Sequence, residues 1–479
     1  MNQQAISTEN SRRGAHRPRV FISAAHKSSG KTTLTLGLCA ALSARGHAVQ
    51  PFKKGPDYID PLWLGMAAQR PCYNLDFHMM RRDEIEQQFA RASAGARISL
   101  IEGNKGLYDG LDLDGSNSNA ALARLLDAPV VLVIDARGMT RGVAPLILGY
   151  QAFDPEVRIA GVILNNLGGS RHESKLRAVI EHYTDVEVIG AVQHDAEMQI
   201  AERHLGLVPA NEQQAGLDRI RYVGEQVAAQ VDLDRLLAIA DAAPALGFLP
   251  PPAVDTPAER LRIGIARDQA FGFYYSEDLD TLRAANVELV DLDTLHGPGL
   301  PELDGLILGG GFPEMFMAEL EANAPMRTSI RRAIEAGLPA YAECGGLMYL
   351  SKSLSWQGRT HEMVGVVPGD TVMHARPVGR GYARLQPTGA DPWQEAASIP
   401  AHEFHYSSLE NLPGDTIYAY EVKRGHGIDG QHDGVVRHQL VAAYAHRRGT
   451  GEQGWIAPFL NQVRAHKARA TAQFTRNSP

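Results

Sequence analysis

Two short stretches of this chain carry residue types whose order could do chemistry. The first runs Ala25-His26-Lys27-Ser28-Ser29-Gly30-Lys31-Thr32. It fits a phosphate-binding loop, with Ala25 where the stricter pattern has its first glycine. In such a loop the backbone N–H groups of Ser28, Ser29 and Gly30 and of the helix start, Lys31 to Thr33, cradle phosphates. Lys31 then reaches the terminal phosphates and Thr32 can ligate Mg²⁺. The second stretch is Tyr341-Ala342-Glu343-Cys344-Gly345-Gly346. A cysteine between a short apolar run and two glycines predicts a nucleophile elbow, a sharp strand-to-helix turn that exposes the thiol to backbone N–H donors.

Both stretches need partners. Phosphoryl transfer calls for a metal held by oxygen ligands, and Asp57 and Asp60 in "PFKKGPDYIDP" and Glu102 at the end of "ISLIE" supply carboxylates. Acids at the carboxyl ends of parallel strands face the ligand crevice of a doubly wound sheet. Asn165, just past "IAGVILNN", is placed to read the nucleotide base. A reactive thiol needs a base, and His402, His405, His438 and His446 are all candidates, because that partner is a spatial neighbour rather than a sequential one. The turn "LGGGFPE", with Gly310 and Gly311, is suited together with Gly345 to supply oxyanion-hole N–H groups. Cys39 falls inside an apolar-periodic helix and reads as core. The pair His402 and His405 reads as part of a hydrogen-bonded, packed region rather than as haem ligands.

The elements that must position these residues alternate. Short β-branched or apolar runs such as Val20–Ala24, Ile98–Glu102, Val130–Asp135 and Ile159–Leu164 are separated by helical stretches, the pattern of a parallel sheet covered by helices. Residues 1–17 read as a disordered basic tail and 18–240 as a P-loop domain. The Ala- and Pro-rich run 241–259 reads as a linker. A second α/β pattern, 260–450, begins with "LRIGIARD", and 451–479 reads as a mostly basic C-terminal extension.

With 479 residues, two or three domains are expected. A net charge of -8 argues against nucleic acid as a partner. The three cysteines are far apart without CxxC spacing, which excludes a disulfide scaffold or a thiolate zinc site and fits a reducing cytosol. No signal peptide or apolar run of membrane-spanning length is present, so a cytoplasmic protein without a membrane partner is expected.

Taken in order, "SSGKTTLTLGL", "PFKKGPDYIDP", "RPCYNLD", "IEGNKGLYDG", "LILGGGFPE", "AECGGLMYL" and "HEFHYS" closely resemble the cobyrinic acid a,c-diamide synthase family, from about residue 19 to 446. The resemblance implies a dethiobiotin-synthetase-like P-loop domain followed by a class I glutamine amidotransferase domain. It also implies ATP- and Mg²⁺-dependent amidation, with L-glutamine as nitrogen donor, of the a- and c-acetates of a tetrapyrrole polycarboxylate. Cobyrinic acid is the expected substrate, with sirohaem or a metal-sirohydrochlorin as the alternative; a homodimer is compatible with it. By position, Cys344 is the expected nucleophile and His446, in "AAYAH", its base. Thr32 and Glu102 are the expected metal ligands, with Asp57 and Asp60 in the metal and acid cluster. The family lacks the acidic third member of the usual glutaminase triad, and no residue stands out for that place. The competing reading of a different class is a P-loop ATPase switch, which would have no use for an exposed thiol.

Overall fold

The computed structural model describes residues 15–200, 202–203, 206–207, 216–247, 259–393 and 398–477. The chain forms two compact units, Met1–Pro252 and Ala253–Pro479. In the first, seven strands build one parallel sheet: β1 (Arg19–Ala24), β2 (Val49–Lys54), β3 (Tyr73–Leu75), β4 (Ile98–Glu102), β5 (Val130–Asp135), β6 (Ile159–Leu167) and β7 (Val188–Gln193). Their spatial order is β3-β2-β4-β1-β5-β6-β7. β1, β2, β4 and β5 are buried along their whole length, as expected of a parallel sheet covered on both faces. The order reverses at β1, so the loops after β1, β2 and β4 meet at one crevice.

Helix α1 (Lys31–Ala44) follows β1 and is apolar nearly all round, "KTTLTLGLCAALSA", because it is covered on several sides. The helix Gly216–Gln230 packs closely along it. A Cβ on Gly37 would come within 2.3 Å of Val227, and one on Gly224 within 2.8 Å of Ala40. Small residues on both helices therefore set how near their backbones lie.

Residues 1–14 of the expected N-terminal tail lie outside the described residues. The remainder of that tail, 15–17, is not loose: Ala15 forms a β-bridge with Leu246, and His16 lies 3.0 Å from the Asp241 carbonyl. Most of the expected linker, 248–258, also lies outside the described residues; its first residue, Asp241, ends a helix and pairs with Arg97 at 2.7 Å.

The second unit is built on a ten-stranded mixed sheet. Its parallel half contains β8 (Leu261–Ala266), β9 (Val287–Leu292), β10 (Gly305–Leu308) and β11 (Ala340–Glu343). The antiparallel half is β12 (Gly379–Pro387), β13 (Ile399–His405), β14 (Tyr418–Arg424) and β15 (His432–Arg437). β16 (Leu440–Ala443) joins the halves and the short β17 (His446–Arg447) closes an edge. The order is β9-β8-β10-β11-β16-β15-β14-β12-β13-β17.

The expected C-terminal tail is instead helical over Ile456–Asn477, and its first turns belong to the core. Ile456, Phe459, Leu460 and Val463 are buried, Trp455 stacks on Tyr341 at 4.3 Å, and Phe459 meets Trp393 edge-on at 5.2 Å. Burying these side chains outweighs the polarity of the sequence beyond them. Replacing Phe459 by alanine should cost about 3–5 kcal/mol of stability. A urea titration that leaves the unfolding midpoint unchanged would show that the helix adds nothing to the fold.

Candidate active sites

In the first unit the chain leaves β1 and turns through Ser28 and Gly30, both at positive φ (64° and 83°), before α1 begins. Gly30 is demanded twice over, since a Cβ there would also lie 2.3 Å from the Asn165 amide nitrogen. That amide donates to the Ser29 carbonyl at 2.9 Å, so Asn165 braces the loop from the end of β6. Ser29 is buried and its hydroxyl donates to the His26 carbonyl at 2.8 Å, whereas Ser28 is exposed. Lys31 is largely buried, and burial brings its amine down to about 8 against the opposing pull of Glu102.

Thr32, in the first turn of α1, places its hydroxyl 2.8 Å from Glu102 Oε1 and 3.3 Å from Asp60 Oδ2. Lys53, the register partner of Glu102 across β2 and β4, lies between the same two carboxylates. Its ammonium donates to Glu102 at 2.7 Å and also to Asp60. Burial opposes that charge, but Asp60, Glu102 and Asp57 together hold Lys53 well above the usual lysine range. Glu102 is fully buried, and burial pushes its carboxyl up, with Lys53 pulling the other way.

Asp57 stands apart from this tight group. Its Oδ1 accepts the N–H groups of Ile59 and Asp60 at 2.9 and 3.1 Å, capping the helix that carries Asp60, and its Oδ2 lies 3.9 Å from Lys53. Burial and the neighbouring Asp60 push Asp57 up to about 7. Lys53 was not among the residues singled out from sequence. The available signal was a pair of lysines closing a strand that also holds Val49, Pro51 and Phe52. Replacing Lys53 by methionine leaves the buried Glu102 carboxylate facing the half-buried Asp60, and should lower stability by about 3–5 kcal/mol. Equilibrium urea unfolding of the variant beside the parent protein tests that expectation.

In the second unit β11 ends at Glu343 and Cys344 takes φ 48°, ψ -103° before a helical turn starts at Gly345. Such a backbone is strained for a residue with a side chain and is held here by its surroundings. The Cys344 N–H donates to the Ala443 carbonyl at 2.8 Å. The next two residues fit only without side chains: a Cβ on Gly345 would lie 2.9 Å from the Gly311 nitrogen, and one on Gly346 2.1 Å from the Leu308 carbonyl oxygen. The Gly310–Gly311 turn therefore lies directly against the elbow. A Cβ on Gly310 would meet His446 Cε1 at 2.8 Å.

Of the four candidate bases, His446 is hydrogen-bonded with the Cys344 side chain. His402 is its register partner on β13, stacks on it at 4.9 Å, and lies 3.3 Å from the Tyr275 hydroxyl. His405 stacks on Tyr444 at 3.9 Å and bonds to the Ser407 carbonyl at 2.8 Å. His438 is exposed in the turn between β15 and β16.

Two acids missed from sequence hold His446 in place. Asp433, fully buried, accepts the N–H groups of Gly434, Tyr444 and Ala445, each at 2.9 Å, and so fixes the backbone leading into His446. Burial pushes Asp433 up to about 6 against those bonds. Glu343 Oε2 lies 3.2 Å from His446 Nδ1. No acid stood out from sequence for a place beside the histidine; this nearby carboxylate comes from the residue just before the cysteine. Burial alone would lower His446, but Cys344 and Glu343 raise it to about 10.

The comparisons with known proteins match this division. Residues 21–208 match the family model described as "CobQ/CobB/MinD/ParA nucleotide binding domain", and residues 262–451 the one described as "CobB/CobQ-like glutamine amidotransferase domain". The chain thus joins a P-loop nucleotide-binding unit to a glutamine amidotransferase unit.

Three relatives extend the match over nearly the whole chain. Cobyrinate a,c-diamide synthase of Magnetococcus marinus is 49% identical, covering 92% of this chain and 96% of its own. The proteins of the same name from Methanosarcina acetivorans and Archaeoglobus fulgidus are 44% and 40% identical, each covering 94% of this chain and 97% and 98% of their own. The chain belongs to the cobyrinate a,c-diamide synthase family. Among the described residues no helix is long and apolar enough to cross a membrane.

His446 has its folded pKa raised above the ordinary 6.5 to about 10. Its stabilising contribution is therefore complete below the ordinary value and is lost as pH rises through about 10. Replacing Cys344 by alanine removes one of the two groups that raise it. Imidazole NMR titration of the variant should show His446 losing its proton at lower pH than in the parent; an unmoved titration would mean that the thiol and ring do not interact.

Proposed function

We propose that this chain converts the a- and c-acetate carboxylates of cobyrinic acid into carboxamides, using ATP, Mg²⁺ and L-glutamine in the cytoplasm. The observation that carries this reading is the pairing, on one chain, of a P-loop crevice lined by Thr32, Asp60 and Glu102 with a strained Cys344 bonded to His446. The relatives named for that reaction match both units.

A carboxylate resists ammonia because its oxygen is a poor leaving group. In the proposed ligase step a substrate carboxylate oxygen attacks the γ-phosphorus, the bond to ADP breaks, and an acyl phosphate forms. Lys31 and the loop N–H groups stabilise the charge that develops on the phosphoryl oxygens. Ammonia then attacks the acyl carbon and phosphate leaves with the bonding pair.

The oxygen donors of Thr32, Asp60 and Glu102 fit Mg²⁺. Glu102 Oε2 is buried without a hydrogen-bond partner among the described residues, an orphaned acceptor that suits a hard cation. Held by these residues, such an ion would supply neutralisation of the phosphoryl charge. Asp57 acts by capping the helix that carries Asp60. Asn165 supports the loop through Ser29 as well as standing beside the nucleotide.

In the glutaminase step Cys344 gives its thiol proton to His446 and Sγ attacks the glutamine carboxamide carbon, with Gly311 and Gly345 N–H groups as the proposed oxyanion donors. His446 passes that proton to the nitrogen as the C–N bond breaks and ammonia leaves, then takes one from the water that hydrolyses the thioester to glutamate and returns it to the departing Cys344 sulfur. Releasing ammonia inside the enzyme keeps it unprotonated, which attack on the acyl phosphate requires.

Purified enzyme with ATP, Mg²⁺ and glutamine should convert cobyrinic acid in two steps, each removing a negative charge that anion-exchange chromatography resolves. Cys344→Ala should lower glutamine-dependent turnover roughly 10³-fold or more while leaving turnover with high ammonium in place. Conversion of sirohaem or a metal-sirohydrochlorin alone would reassign the substrate and keep the chemistry. ATP hydrolysis without amidation of any of the three would overturn the ligase reading.

A further inference from the structure

The carboxylate of Glu343 is held on three sides within the glutaminase unit. Oε1 accepts the Tyr341 hydroxyl at 2.5 Å and the Arg447 N–H at 2.9 Å, and Oε2 faces His446 Nδ1 at 3.2 Å. Tyr341 and Glu343 lie on the same face of β11, two residues apart, while Arg447 and His446 are neighbours on β17. One carboxylate thus ties the strand that presents the nucleophile to the strand that presents the base.

We infer that Glu343 is the positioning residue for His446, filling from the position just before the nucleophile the place that a third triad acid fills elsewhere. This rests on the glutaminase reading of Cys344 and His446. With its Nδ1 proton donated to Glu343, His446 is left to exchange protons with the thiol through Nε2. The carboxylate also stabilises the imidazolium that forms when the thiol is deprotonated. The geometry has a simple cause. The elbow at Cys344 reverses the direction of the chain, so the side chain before the turn and the one at the turn can both reach the same imidazole ring.

Besides His446, the charged and titratable groups around Glu343 are Arg447, Tyr341, Tyr274 and Asp278. Arg447 is buried and held above its ordinary value by Tyr420, Tyr341, Asp391 and Glu343 against desolvation. Tyr341 is pushed well up by burial and by Glu343, so it remains a donor. Tyr274 and Asp278 are the other titratable groups that feel Glu343, and burial raises both. Asp278 itself is engaged by the Gly449 N–H, at 2.9 Å from each oxygen.

Glu343→Gln separates charge from shape. The amide keeps an oxygen that can accept from Tyr341 and Arg447, so a role confined to holding the strands together survives the change. The inference expects glutamine-dependent kcat/KM to fall by about 10²–10⁴-fold while ammonium-dependent amidation is unchanged. It also expects the midpoint for iodoacetamide alkylation of Cys344 to move to higher pH by roughly one unit or more, because the thiolate loses a stable imidazolium partner. Cys39 and Cys72 are buried, and burial raises both thiols, so they remain silent in that assay.

Near-parental glutamine turnover with an unmoved alkylation midpoint would overturn the inference. Should the variant not fold, histidine-labelled parent enzyme gives the answer by NMR. A proton resident on His446 Nδ1 throughout the neutral range supports the inference, and an unprotonated Nδ1 there overturns it. Failure of the glutaminase reading itself looks different: Cys344→Ala would then retain glutamine-dependent turnover.

Discussion

A charge taken out of water must be met by an opposite charge or by several hydrogen bonds, and both candidate sites depend on that requirement. In the first unit the Lys53 ammonium lies between Glu102 and Asp60, and Thr32 completes the group from the start of the helix. Glu102 is fully buried there, and burial by itself favours its neutral form. The same cluster fixes the relative positions of β2, β4 and α1, the helix that the phosphate loop opens. In the second unit His446 sits between Glu343 and Cys344, and Asp433 pins the backbone that leads to it. Each arrangement links two chain segments far apart in sequence through one buried side chain.

Chemistry is then concentrated where strands end. Backbone N–H groups are free of the sheet only at such points, and a sharp turn there can aim a side chain into open space. The phosphate loop uses Gly30 at positive φ for this purpose. The elbow instead places a non-glycine residue, Cys344, at φ 48° and lets Gly345 and Gly346 absorb the close packing. The three thiols show what placement does. Cys39 and Cys72 are sealed in the core, where burial raises them out of reach of ordinary chemistry. Cys344 sits against a histidine that is itself supported by a carboxylate.

The C-terminal residues illustrate how packing outweighs local composition. Beyond Gly449 the sequence is largely polar and basic, yet Trp455, Ile456, Phe459, Leu460 and Val463 place one apolar stripe against the sheet. Trp455 on Tyr341 extends that packing to β11, the strand that carries Glu343 and leads to Cys344. The terminal helix is therefore part of the framework behind the nucleophile.

Local signals in the sequence were enough to determine the phosphate loop, the cysteine elbow, most buried parallel strands and the order of the two α/β halves. Each of these depends on residues within about ten positions of one another, where glycine placement and hydrophobic periodicity act directly. The family resemblance singled out His446 from four histidines. Only the tertiary structure showed Lys53 between two acids, Asp433 behind the histidine and Glu343 beside it, because these pairings depend on strand register between distant segments. Strand register also decided which four strands of the second sheet form its antiparallel half, where alternation of side chains is interrupted by a bulge at Arg384 and Leu385 and by residues buried on both faces. The physical reason is the same throughout: a turn is specified by its own residues, whereas a buried charge is specified by whatever the rest of the fold brings to it.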